Sequence, residues 1–133
     1  MTPSQLAQWP MRISTETNRR DAHWGKRNKR RGSHRSTAAL QMRAAIRTRP
    51  KLPVVIVLVR VAPRRLDDGN LASAFKGIQD GIADWLGVDD GDSQRVAWLY
   101  DQRQGRPKQH LVCVELYEGA AVVDVRKRIV EVA

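Results

Sequence analysis

The chain has 133 residues, of which 41% are hydrophobic, and this is enough for one compact core but too little for two ordinary domains. It carries 24 Lys and Arg residues against 14 Asp and Glu, a net charge of +10. The longest apolar run, residues 54–59, is only as long as a strand, no secretion signal is recognisable, and Cys113 is the single cysteine. We therefore expect one domain over residues 1–133, without a membrane span, in the reducing cytoplasm.

The positive charge is concentrated in the first part of the chain. Residues 1–51 hold 13 basic and 2 acidic residues, whereas residues 52–133 hold 11 basic and 12 acidic ones. A one-sided basic surface indicates a polyanionic partner, and for a small protein nucleic acid is a more common partner than anionic lipid. We predict that the phosphate contacts come from Arg19, Arg20, Lys26, Arg27, Lys29, Arg30 and Arg31.

The first half of the chain predicts one long helix and one buried strand. Residues 1–10 contain two prolines and little pattern, which indicates a loose arm, and the alternation in residues 11–15 predicts a short strand. From about residue 20 to residue 47, helix formers and arginines predict a basic helix that Gly32 interrupts or bends. The β-branched run over residues 54–61 predicts a strand that is buried on both faces.

The segment from Asn70 to Leu86 predicts an amphipathic helix, because its apolar residues share one arc at 100° per residue. Asn70 is a suitable N-cap, and Gly87 follows the last apolar residue as a C-terminal stop. Trp85 belongs to the apolar arc, so we expect it in the core.

An acidic, glycine-containing loop over residues 88–93 follows this helix. Residues 95–100 and 110–117 are then predicted strands, and Trp98 in the first of them fits either the core or a dimer interface. The tail, residues 122–133, fits a helix or a strand equally well. This order of elements predicts an α+β domain in which a small mixed sheet is covered by two helices.

The acidic residues of the second part form two clusters, which lie before and after the predicted helix. The run Arg65-Leu66-Asp67-Asp68-Gly69-Asn70-Leu71 is followed by Lys76, by Asp80 and then by Leu86-Gly87-Val88-Asp89-Asp90. This series resembles the RusA-like family of Holliday junction resolvases, particularly its phage-borne branch. The signature of that family is Asp-x-Asp-Asn-Leu at a strand-to-helix turn, a Lys and an Asp four residues apart, and an Asp pair in the following loop. The resemblance covers residues 64–92.

The resemblance implies a RusA-like fold and a magnesium-dependent, structure-selective endonuclease that resolves branched DNA, with manganese as a possible substitute for magnesium. It implies catalytic roles for Asp67, Asp68, Lys76, Asp80 and Asp90, with Asp67, Asp68 and Asp90 as the metal ligands. A homodimer is also implied, because two symmetric nicks across a junction require two active sites related by a two-fold axis. A phage or prophage origin fits this resemblance.

The chemistry of phosphodiester hydrolysis explains why such residues occur together. Negative charge develops on the phosphoryl oxygens and the leaving group, and magnesium held by carboxylates offsets that charge and supplies a metal-bound nucleophile. Lys76 is suited to stabilise the transition state or to orient the attacking water, and Asp80, four residues later, is suited to hold its ammonium group.

The chain departs from the signature at Gly69, which stands where the family has its second Asp. Either Asp68 supplies the missing carboxylate, or the chain is a nucleic-acid-binding protein of the same fold with impaired catalysis. An RNA-binding or ribosome-associated module would share the basic helix but would leave the acidic loop unexplained.

Simpler structural explanations exist for each acidic feature. Asp68 and Asn70 are good helix-capping residues, and Lys76 with Asp80 has the spacing of an ordinary solvated ion pair. Residues 89–92 have the composition of a surface turn. The nuclease hypothesis depends on the occurrence of all these features in the order of the family signature.

Overall fold

The computed structural model describes residues 1–14 and 24–132, with the backbone alone for residues 24–28 and 132. In chain order the described elements are β1 (Gln5–Pro10), α1 (Trp24–Ala45), β2 (Val54–Ala62), α2 (Asp68–Ala74), α3 (Lys76–Leu86), β3 (Val96–Gln104), β4 (Leu111–Glu118) and α4 (Val122–Val132). The strands form one mixed sheet in the order β1-β4-β2-β3, in which only the pair β2 and β3 is parallel. The predicted α+β class with a mixed sheet is confirmed, but four described helices, not two, accompany the sheet.

The central strand β2 is buried on both faces, as its β-branched run predicts. Val54, Ile56 and Leu58 pack into a core with α1, α2 and α3, which therefore cover one face of the sheet. The alternate residues of β2 pack on the other face into a smaller core with Val125 of α4. The tail, for which the sequence fits a helix or a strand equally well, is thus the helix α4, and it covers the second face of the sheet.

The prediction for the N-terminus is wrong. Residues 5–10 are not a loose arm but an edge strand that pairs antiparallel with β4, and the described residues 11–14 form no strand. Ala7 and Trp9 alternate into the core, with 5% and 3% of their surfaces exposed. Pro10 is compatible with this strand because it lies at the end of an edge strand.

Helix α1 is continuous through Gly32, so the predicted interruption there is wrong. A Cβ atom at Gly32 would meet nothing within 4 Å, and the glycine therefore costs only its intrinsic helix propensity, about 1 kcal/mol relative to Ala. Residues 20–23 of the predicted helix lie outside the described residues.

Two glycines of α3 allow α1 to lie directly against it. A Cβ atom at Gly77 would lie 2.8 Å from the carbonyl oxygen of Arg31, and a Cβ atom at Gly81 would overlap the carbonyl oxygen of Arg35. Because these glycines are one turn apart, they form a continuous strip of close backbone contact. The basic helix is thereby held beside Lys76 and Asp80 of α3.

The helix predicted over residues 70–86 is in fact two helices. They meet at Phe75, which has φ −87° and ψ −2°, and the first begins at Asp68 with Asp67, not Asn70, at the N-cap position. Gly87 ends α3 in the left-handed conformation, with φ 75°, and its N–H donates to the carbonyl oxygen of Ala83 at 2.9 Å. The predicted C-terminal stop is therefore confirmed, whereas the predicted N-cap is not.

The two predicted C-terminal strands are confirmed, and β3 extends four residues beyond its predicted end at residue 100. Trp85 is buried in the core, as expected. None of the helices in the described part of the chain is long and apolar enough to cross a membrane.

Candidate active site

Three of the predicted catalytic residues, Lys76, Asp80 and Asp90, are in direct contact, and we call them the lysine cluster. The Nζ atom of Lys76 lies 3.0 Å from Oδ1 of Asp80 and 2.7 Å from Oδ2 of Asp90. The contact with Asp80 follows from the spacing of four residues on α3, whereas the contact with Asp90 ties the loop after α3 back to the start of that helix. The side chain of Lys76 remains 43% exposed, so its third N–H is accessible to an external acceptor.

The charges of the lysine cluster stabilise one another. Hydrogen bonds to Asp90 and then to Asp80 raise the pKa of Lys76, and the hydrogen bond from Lys76 lowers the pKa of Asp90. A general base needs a pKa near the working pH, so a lysine whose pKa is raised does not serve as one at neutral pH. Lys76 is instead a fixed positive charge that can donate to an anionic oxygen.

Two aromatic side chains of β3 hold the lysine cluster in place. The indole Nε1 of Trp98 donates to the backbone carbonyl oxygen of Asp90 at 2.9 Å. The hydroxyl of Tyr100 donates to Oε1 of Gln79 at 2.5 Å, and Nε2 of Gln79 lies 3.4 Å from Oδ2 of Asp90. The loop that carries Asp90 is therefore bound at its backbone by one strand residue and at its carboxylate through another.

The next inward-facing residue of β3, Gln102, positions the segment before α2. Its Nε2 donates to the carbonyl oxygen of Leu66 at 2.7 Å, and its Oε1 accepts from the N–H of Leu66 at 3.0 Å. Leu66 directly precedes Asp67, so the same strand face positions both acidic segments of the predicted site.

These positioning residues are the part of the site that the sequence reasoning missed. No sequence motif predicts a role for Gln79, Tyr100 or Gln102, and for Trp98 the sequence predicts only a core or interface position. The available signal was the alternation of Trp98, Tyr100 and Gln102 along one strand, because each carries a polar group on an inward face. Such groups need partners when they are buried.

Asp67 and Asp68 lie exposed at the start of α2. Asp67 occupies the N-cap position, but its side chain makes no capping hydrogen bond, and only its carbonyl oxygen accepts from the N–H groups of Asn70 and Leu71. In the described part of the chain, neither aspartate side chain has a hydrogen bond or ion pair. Side-chain capping therefore does not account for either acid.

The carboxylates have the chemistry that magnesium prefers but not the arrangement. Among the described residues, no group of three or more His, Cys, Asp and Glu side chains is arranged to hold a metal ion. Asp67, Asp68 and Asp90 are thus not gathered into a three-ligand set, and Asp90 has Lys76 as its counterion. A Cβ atom at Gly69 would meet nothing within 4 Å, so a carboxylate has room at the position where the family signature has one.

A polar cavity of about 270 Å³ adjoins the lysine cluster and includes Asp80, Asp90 and the bidentate pair of Arg35 and Asp84 in its lining. Nε and Nη2 of Arg35 lie 2.6 and 2.8 Å from the two carboxylate oxygens of Asp84, and this pairing lowers the pKa of Asp84. The pair links α1 to α3, so the basic helix α1 and the lysine cluster lie on the same surface.

The predicted nucleic-acid-binding residues are only in part described. Lys29 and Arg31 are exposed on α1, and Arg30 is half-buried. Arg19 and Arg20 lie outside the described residues, as do the side chains of Lys26 and Arg27. The contribution of these residues to binding stays a prediction.

Comparison of the sequence with known protein families finds no match, and comparison with curated proteins finds none either. The resemblance to RusA-like resolvases therefore rests on the residues 64–92 quoted above and stays a prediction.

Proposed function

We propose that this chain is a structure-selective endonuclease that hydrolyses phosphodiester bonds of branched DNA such as Holliday junctions. The observation that carries the proposal is the lysine cluster, in which Lys76 contacts both Asp80 and Asp90, three of the five residues that the resemblance assigns to catalysis. A magnesium or manganese requirement, a homodimer, and a cytoplasmic location with a phage or prophage origin are parts of the same proposal.

The proposed role of Lys76 is to stabilise negative charge that develops on a phosphoryl oxygen. Two of its N–H groups are used by Asp80 and Asp90, which fix the ammonium group before the substrate arrives. A preorganised donor of this kind stabilises the transition state more than the ground state. Trp98 acts as a positioning residue, because it holds the loop of Asp90 through the backbone.

Magnesium, when bound, would supply a nucleophilic water and offset charge. The described carboxylates do not form a three-ligand set, so the catalytic roles proposed here are limited to the chain's own groups.

The second candidate function is DNA binding without cleavage. It is favoured by the absence of a three-carboxylate group among the described residues and by Gly69 in place of the family's second Asp. Asp80 and Asp90 would then serve only to orient Lys76 toward a phosphate.

A synthetic four-way junction distinguishes the two candidates. The purified protein is incubated with the junction or with a linear duplex of the same arms, in magnesium or in EDTA. An endonuclease gives paired nicks on the junction with magnesium only. A binding protein retards the junction in a gel and gives no nicks in either buffer, and failure to retard it would contradict both functions.

The oligomeric state is tested by light scattering on the same protein. The proposal predicts a mass of about twice 15.1 kDa for the free protein, and this mass plus that of one junction for the complex. A monomer in both conditions would contradict the paired-nick mechanism.

A further inference from the structure

A second concave surface lies at the carboxyl end of β2. Among the described residues, its lining contains arginines and no carboxylate, whereas the lysine cluster contains two carboxylates. This cavity of about 390 Å³ has four arginines in its lining, and we call it the arginine cavity. The four are Arg12, Arg60, Arg64 and Arg65. The volume lies within the range of small-molecule sites.

Arg60 is the buried member of this set and is only 7% exposed. It follows Leu58 on the inward face of β2, and its Nε and Nη1 donate to the carbonyl oxygens of Ile13 at 3.2 Å and Arg64 at 2.6 Å. It therefore joins the segment after β1 to the loop after β2. Burial, with a further contribution from Arg12, lowers the pKa of Arg60, but a guanidinium stays charged at neutral pH.

The four guanidinium groups have no acidic counterpart in the described part of the chain. None of them forms an ion pair with a described Asp or Glu side chain. Several like charges around one concavity repel one another, and buried charges are ordinarily paired. The electrostatics of the arginine cavity are therefore those of a site that is completed by an anion.

The position of the cavity connects it to the candidate active site. β2 and β3 are parallel, and ligands of open sheets bind beyond the carboxyl ends of such strands. Arg60 pairs in register with Gln102, which holds Leu66 on both its N–H and its carbonyl oxygen. Leu66 lines the cavity and directly precedes Asp67, so an anion in the cavity lies beside the first acidic segment.

We propose that the arginine cavity binds a phosphate group of a nucleic-acid strand. Guanidinium groups match the geometry of phosphate oxygens with paired donors, and the net charge of +10 of the whole chain suits a polyanionic strand. This inference rests on the nucleic-acid part of the proposed function. The phosphate comes from within the strand or from its 5′ end, and the test separates these two sources.

The test uses a double variant, Arg12→Gln with Arg65→Gln, because both side chains are exposed and have no described ion-pair partner. Arg60 is left intact, since its hydrogen bonds hold two loops together. The matched control is Arg126→Gln with Lys127→Gln, which removes the same charge from exposed positions of α4 across the sheet. Thermal unfolding checks that both double variants remain folded.

Binding is measured in EDTA by fluorescence anisotropy, with labelled oligonucleotides that carry a 5′-hydroxyl or a 5′-phosphate. We expect the cavity variant to bind about tenfold more weakly than the control variant, because charge-assisted hydrogen bonds are lost. The slope of log K against log salt should also become shallower by about one, the value for one phosphate contact.

An equal loss for both oligonucleotides supports a phosphate within the strand, and a loss restricted to the 5′-phosphorylated one supports a strand end. If the cavity variant binds both oligonucleotides as tightly as the control variant does, the inference is wrong. The proposed function fails separately: a wild type that never nicks the junction, beside a cavity variant that binds poorly, leaves the inference standing.

Discussion

The lysine cluster and the arginine cavity are built on opposite electrostatic principles. In the lysine cluster, one ammonium group has two carboxylates within 3.0 Å, so its positive charge is compensated inside the protein and one negative charge is left in excess. In the arginine cavity, the four guanidinium groups form no ion pair with a described Asp or Glu side chain, so their positive charge is not compensated within the described part of the chain. A lysine that is already paired keeps its geometry without a ligand, whereas arginines without a described counterion gain most when an anion binds.

The two regions also differ in how the fold positions them. The lysine cluster is held by side chains of β3 that reach across to a helix and a loop. The arginine cavity is held by Arg60, a single buried cation that bonds to backbone oxygens of two loops. We therefore expect the first region to set the geometry of the reacting phosphate and the second to anchor a neighbouring phosphate.

Lys76→Met should have the largest effect, because it leaves Asp80 and Asp90 as unbalanced as the arginines of the cavity. We expect nicking of a four-way junction to fall about 100-fold or more, the usual cost of losing one transition-state donor. Binding should persist, and the free energy of unfolding should fall by about 1 kcal/mol or less, because Lys76 is partly exposed. Single-turnover nicking assays measure the loss.

The control for this variant is Lys127→Met on the exposed face of α4, which should nick at the wild-type rate. Normal nicking by Lys76→Met would remove the lysine cluster from the mechanism.

Gly69→Asp sharpens the comparison by adding a third acidic residue directly after Asp67 and Asp68. Gly69 lies in α2 with open space around a Cβ atom, so the new side chain meets no steric conflict. If the site lacks one carboxylate, magnesium-dependent nicking should rise about tenfold or more relative to wild type, because an added oxygen ligand favours magnesium binding. Titration of nicking with magnesium measures the change.

The isosteric control, Gly69→Asn, adds the same bulk without the charge and should leave nicking at the wild-type level. Equal rates for wild type, Gly69→Asp and Gly69→Asn would show that the position plays no part in metal use.

Much of the fold was predictable because its signals are local. The β-branched run of β2, the apolar arc of α3 and the left-handed Gly87 are all encoded within one element. β1 was missed because its pairing is non-local: Gln5 lies opposite Leu116. Its six residues also include Pro10 and two glutamines, which hide the alternation of Ala7 and Trp9.

In the candidate site, too, local spacing in the sequence predicts some contacts, whereas others depend on residues that are distant in the sequence. The contact of Lys76 with Asp80 follows from helix spacing, and the sequence predicts it. The hydrogen bonds of Trp98 and Tyr100 to the cluster depend on where a distant strand is placed, so no local pattern specifies them. The arginine cavity was missed for the same reason, since Arg12 and Arg60 lie 48 positions apart in the sequence.

Gly81→Ala breaks the contact that holds the basic helix beside the lysine cluster. The new Cβ atom would overlap the carbonyl oxygen of Arg35 and lie 3.0 Å from Cβ of Ala38, so α1 must shift. We expect the free energy of unfolding to fall by about 1–3 kcal/mol, the usual cost of overpacking. Urea unfolding measures this change.

Gly32→Ala is the matched control, because the same substitution in α1 meets open space. Ala has the higher helix propensity, so this variant should gain about 0.5–1 kcal/mol. A Gly81→Ala protein as stable as wild type would mean that the two helices are not in close contact at this glycine.

Acid should release the loop of Asp90 while the four guanidinium groups of the arginine cavity stay charged. Lys76 lowers the pKa of Asp90, so the contribution of this pair to stability is present above about pH 4, the unfolded pKa of an Asp, and is lost as the pH falls through the lower folded pKa. Lys76, whose pKa is raised, stays protonated throughout this range.

Trp98 reports this release, because its indole N–H donates to the backbone of Asp90. In proton–nitrogen NMR spectra recorded from pH 7 downward, we expect the Trp98 indole resonance to stay constant down to about pH 4 and to move only at lower pH, as Asp90 loses its charge. The resonance of buried Trp85 serves as the internal reference for unfolding. In Asp90→Asn, where no charge is left to titrate, the Trp98 resonance should lack this step. If the step persists in Asp90→Asn, another acid controls the loop and the ion pair with Lys76 is not what holds it.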